Sequence, residues 1–143
     1  MPIPINEWDA LLAALRKPEE SDRACAAAER LHKESTLQDV PRLMSLLQDS
    51  DAFVREAAAW PLSELAGVPL LRELLTAYQK GLDEGLDNDG FTAALIDLVQ
   101  VNSSESALVL RSLAEDGDSA LRENALWLLE FCSFDGTRPT PPC

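Results

Sequence analysis

The chain has 143 residues, 46% of them hydrophobic, and 12 Lys plus Arg stand against 25 Asp plus Glu for a formal net charge of -13. That length suits one domain able to bury about two-thirds of its unfolded surface without staples. The charge argues against nucleic acid and anionic membrane surfaces and for basic protein partners.

The opening run "MPIPINEWDALLAAL" has no basic segment and no long apolar core, so neither a signal peptide nor a membrane span is expected. From there apolar residues recur at intervals of three and four and strand-like alternation is missing, which predicts an all-α chain. Asn6 precedes the first helix and Pro18 follows it; Asp51 opens "AFVREAAAW", Gly67 and Pro69 mark the next junction, and Ser104 opens "ESALVLRSLA". About eight helices in pairs are expected. Residues 81–110 carry six acidic groups and no basic one, and "QKGLDEGLDNDG" within this region reads as a Gly-interrupted acidic loop. After Cys132 the period is lost in "SFDGTRPTPPC", so a repeat domain over 1–132 and a Pro-rich flexible tail over 133–143 are expected. Cys25, Cys132 and Cys143 are an odd set without metal-ligand spacing, which fits a reducing, cytoplasmic setting.

The pairs repeat. The second helix of each aligns on Ala24, Val54, Phe91 and Leu121, at spacings of 30, 37 and 30 residues. "DAFVREAAAW" and "DSALRENALW" match best: Asp51 with Asp118, Val54 with Leu121, Arg55 with Arg122, Glu56 with Glu123, Ala58 with Ala125 and Trp60 with Trp127. "DSDAFVREAAAWPLSELAG" resembles the second helix of a HEAT repeat, particularly the short form of the phycobilisome-lyase-like HEAT proteins, and "DVPRLMSLLQD" resembles the matching first helix. The resemblance covers residues 5–132. It implies a right-handed superhelix, an α-solenoid of about four helical hairpins, with Asp51, Arg55, Asp118 and Arg122 tying turns to neighbouring repeats. It implies no particular reaction.

On a helical wheel Val54, Ala58, Pro61, Leu62 and Leu65 share one face and Trp60 lies nearly opposite, flanked by Phe53, Glu56 and Glu64. The equivalent positions in the other repeats are Arg30, Asp97 and Trp127, the last with Glu123 and Phe131 nearby. An exposed row results, with Trp60 and Trp127 as apolar anchors, Arg30 and Asp97 as polar discriminators, and the glutamates as attraction for a basic surface. The competing reading is that a neighbouring repeat or the tail covers the tryptophans. Pro61 is expected to bend its helix.

His32 aligns with Leu62 and reads as a half-buried structural imidazole, and Cys25 as a small core residue. Cys143 has no neighbour to activate it. The acidic loop fails as an EF-hand, because Gly85 and Ile96 would occupy the first and last ligand positions. No metal, cofactor or catalytic residue is expected. The reading is a non-catalytic protein-interaction module, for example an acidic inhibitor or immunity-type protein for a basic partner. A bilin lyase or lyase subunit is the alternative that the resemblance suggests.

Overall fold

The computed structural model describes residues 2–17 and 19–132. Among the described residues there are eight α-helices and no strand: α1 Ile5–Leu15, α2 Ser21–Glu34, α3 Val40–Leu46, α4 Ala52–Leu65, α5 Leu71–Asp83, α6 Asp89–Val101, α7 Ser103–Asp116 and α8 Ser119–Leu129. The fold class is all-α, assembled from helical hairpins. The expected tail over 133–143, with Cys143, and the expected stop at Pro18 lie outside the described residues. The chain forms two compact units, one ending at Ala66 and one beginning at Gly67.

In the first unit α4 packs against α1, α2 and α3. Leu15, Leu31, Leu43, Val54 and Leu62 are fully enclosed there. Asp51 starts α4 as its side chain accepts from the backbone N–H groups of Phe53 (2.9 Å) and Val54 (3.3 Å), satisfying donors that a helix start leaves free. The tie from this turn to the first hairpin runs through Asp49, which takes a two-pronged bond from Arg16 at 2.9 and 2.6 Å. Donation from Arg16 also holds the Asp49 carboxyl below its ordinary pKa. Arg55, which the family resemblance assigns to such a tie, braces its own turn: its Nη1 donates to the carbonyls of Asp49 (2.8 Å) and Ser50 (3.2 Å).

A second fastening holds the N-terminal segment. Asp39 has no exposed surface, and its carboxylate accepts from the backbone N–H groups of Thr36 (2.9 Å) and Ile3 (3.3 Å) and from the guanidinium of Arg42. Arg42 also donates to the Ile3 carbonyl (2.7 Å) and lies over the Trp8 ring, 4.1 Å from its centroid.

In the second unit α5, α6, α7 and α8 surround Leu71, Leu74, Leu75, Phe91, Leu95, Leu110 and Leu128. Asp118 caps α8 by accepting from the Leu121 N–H at 2.9 Å, as Asp51 caps α4. Arg122, the counterpart of Arg55, is exposed. The four residues that set the repeat register, Ala24, Val54, Phe91 and Leu121, are all buried. Equivalent positions therefore point inward, as the register requires.

The acidic loop after α5 is a built helix ending. Gly85 has φ of 82°, the Leu86 N–H donates to the Gly81 carbonyl (3.0 Å) and the Gly85 N–H to the Leu82 carbonyl (3.0 Å), the paired bonds of a Schellman cap. Asn88, buried with φ of 58°, donates its side-chain amide to the Tyr78 carbonyl at 2.7 Å and fills the space over Gly81. A Cβ on Gly81 would stand 2.3 Å from Asn88 Oδ1. Gly81→Ala is therefore expected to destabilise the protein by about 2 kcal/mol, although alanine is the better helix former by about 1 kcal/mol. Urea unfolding checks this. A variant as stable as wild type would show that Asn88 does not need its place.

Candidate protein-binding surface

The structure corrects the exposure expected for Trp60. Its residue is only 8% exposed, and from Ala57 to Ser63 every position of α4 is buried. A wheel assumes one inward stripe, whereas α4 is packed by α1, α2 and α3, and its run of alanines lets neighbouring backbones approach on several sides. The Trp60 ring lies 5.9 Å from that of His32, and its Nε1 is buried with no hydrogen-bond partner among the described residues. α4 continues through Pro61 to Leu65, with Ser63 Oγ donating to the Trp60 carbonyl at 2.7 Å.

Around this tryptophan the first unit brings together Trp60, Glu64 and His32, whose Nε2 is 2.8 Å from the exposed Glu64 carboxylate. His32 is thus a bridge between two residues of the expected surface, which its alignment with Leu62 did not reveal. Arg30 is directed elsewhere: its Nε donates to Glu34 (2.7 Å) and its guanidinium approaches Glu7 of α1 at 3.9 Å. Donation from Arg30 holds the Glu34 carboxyl below its usual range. Phe53 and Glu56 are half-buried at the start of α4.

The second unit places Trp127 differently. It is half-buried, and its indole lies nearly parallel to the Tyr78 ring, at 4° and 5.6 Å between centroids. Tyr78 meets Phe91 edge-on at 5.7 Å on one side of this set, and Phe131 meets Trp127 edge-on at 5.6 Å on the other. These are the preferred offset and T-shaped geometries of aromatic pairs. The rings grade from buried Phe91 and Tyr78 to half-buried Trp127 and Phe131, forming a shelf with a fixed inner edge. Beside it Asn124 Nδ2 donates to Gln79 Oε1 (2.8 Å) while Gln79 Nε2 donates to Asp83 (2.7 Å), so α5 and α8 are pinned in register. Glu123 is exposed on α8 and Asp97 half-buried on α6. Tyr78 and Gln79 were not among the expected site residues, and "TAYQK" offers no periodic signal for pairing with a helix about 45 positions later.

Leu126 on α8 and Glu130 just past its end are exposed, as are Asp83, Glu84, Asp87 and Asp89 around the turn after α5. Cys132, half-buried at the end of α8, has its thiol pKa pushed up by burial, against a smaller opposing pull from Arg111. It is therefore a poor nucleophile. Among the described residues no helix is long and apolar enough to cross a membrane.

No curated protein and no solved structure matches the chain. Residues 40–69, which hold α3, the Asp51 turn and α4, match the HEAT repeat family.

Proposed function

We propose that this chain is a non-catalytic protein-interaction module that binds a partner with a basic surface through α8. HEAT repeats generally serve as protein-interaction modules, and residues 40–69 match one. The observation that carries the assignment is Trp127: a half-buried indole already clamped on Tyr78 and flanked by Phe131, so little conformational freedom is lost when a partner covers it. Its setting is acidic, with Glu123 exposed on the same helix and Glu130 exposed just past its end, in a chain of net charge -13. Lysine or arginine side chains of a partner would be drawn to that field. Half-buried Asp97, also in the second unit, is a secondary contributor in this proposal, and Trp60, buried in the first unit, takes no part in it. An acidic inhibitor of a basic protein, working in the cytoplasm, is its concrete form.

Affinity capture from the native extract, followed by binding titrations with the captured protein, tests the assignment. Trp127→Ala is expected to weaken binding by about tenfold or more while leaving helicity intact, and raising salt is expected to weaken wild-type binding. A partner that holds Trp127→Ala as tightly as wild type, or binds more tightly in high salt, would overturn it.

A further inference from the structure

The outward face of α7 carries a leucine that folding leaves in water. Leu108 is 68% exposed, and Ser104, Glu105, Arg111, Ser112 and Glu115 around it are exposed as well. Between α7 and α8 an open groove of about 480 Å³ starts at Leu108 and is lined further by Ser103, Ser104, Ala107, Arg111, Leu129 and Cys132. An exposed leucine beside a groove of mixed lining, on a helix face that carries both signs of charge, is an arrangement from which a self-complementary contact can be made.

We propose that this face binds a second copy of the chain by a two-fold contact centred on Leu108. The two Leu108 side chains meet at the axis, each against the rim of the other copy's groove, which Leu108 itself helps to line. A two-fold axis through Leu108 and across α7 sets the residue three places after Leu108 against the residue three places before it. Arg111 of each copy then faces Glu105 of the other, giving two opposite-charge pairs, and Ser104 faces Ser112. An in-register parallel pairing would instead set Arg111 on Arg111 and Glu105 on Glu105. The charges are available for this use: among the described residues no ion pair involves Arg111 or Glu105. The pairs lie about 4.5 Å along the helix on either side of the leucine, within reach of an arginine side chain.

One helix face and a shallow groove bury less than the roughly 1,600 Å² of a standard interface, so association is expected in the micromolar range. Sedimentation equilibrium of the purified full chain over about 1–300 µM reads it directly. Leu108→Glu is expected to weaken self-association by about 30-fold or more, and Arg111→Glu by about tenfold, since it sets two carboxylates against each other. The double variant Glu105→Arg with Arg111→Glu restores the pairing with its sense reversed and is expected to return to within about threefold of wild type. All these positions are exposed, so circular dichroism is expected to be unchanged in each variant. A wild type that stays monomeric over the whole range, a Leu108→Glu variant that associates like wild type, or a double variant no better than Arg111→Glu alone would overturn the assignment. These measurements use no foreign partner, so they stand or fall apart from the α8 surface.

Discussion

Asp39→Ala is expected to destabilise the first unit by about 2–3 kcal/mol, because a fully buried carboxylate that satisfies backbone donors is removed. The carboxylate has no exposed surface and takes bonds from Thr36, Ile3 and Arg42, so its loss strands two backbone donors, while Arg42 keeps its bond to the Ile3 carbonyl and its place over Trp8. Urea unfolding followed through tryptophan emission reads this, since Trp8 and Trp60 both lie in the first unit. The same residue sets a pH dependence. Burial alone would raise the Asp39 pKa, but donation from Arg42, Thr36 and Ile3 outweighs it and the folded value is lowered. A depressed carboxylate contributes stability that is fully present above its unfolded pKa of about 3.9 and disappears as pH falls through the folded value. The gap between wild type and Asp39→Ala is therefore expected to stay constant from neutral pH to about pH 5 and to shrink below about pH 4. A gap that widened in acid would contradict the bonding described for this carboxylate.

Trp60→Ala is expected to cost about 4 kcal/mol, whereas Trp127→Ala is expected to cost about 1–2 kcal/mol. The two tryptophans occupy equivalent repeat positions, yet one is enclosed by three helices and the other keeps part of its ring in water. Removing the first leaves a cavity among alanines that cannot collapse to fill it; removing the second ends a stack on Tyr78 at the surface. Denaturant midpoints of the two single variants separate these cases. A Trp60→Ala variant within about 1 kcal/mol of wild type would show that the indole is not enclosed as described.

The caps at Asp51 and Asp118 and the repeat register are legible without coordinates because they are local, whereas Asn6 and Ser104, expected at the starts of α1 and α7, lie inside helices that begin at Ile5 and Ser103. Asp51 and Asp118 each bond to an N–H two or three residues ahead, and the aligned set Ala24, Val54, Phe91 and Leu121 follows a helical period that burial then obeys. The glycines in "QKGLDEGLDNDG" likewise announce an interruption, although not that Gly81 would accept the Asn88 side chain against it. Asp39 is only partly legible: its spacing from Thr36 in "TLQDV" is that of a capping box, which the structure forms, but nothing local announces that Ile3, 36 positions away, comes to rest on it.

The sequence by itself determined the helical class, the pairing of helices into hairpins and the inward residue of each, since hydrogen bonds and side-chain period act over a few residues. Tertiary structure alone decided how many neighbours each helix has. That number enclosed Trp60 behind His32 and left Trp127 half in water, because burial of a side chain depends on what arrives from distant parts of the chain and not on the residues beside it.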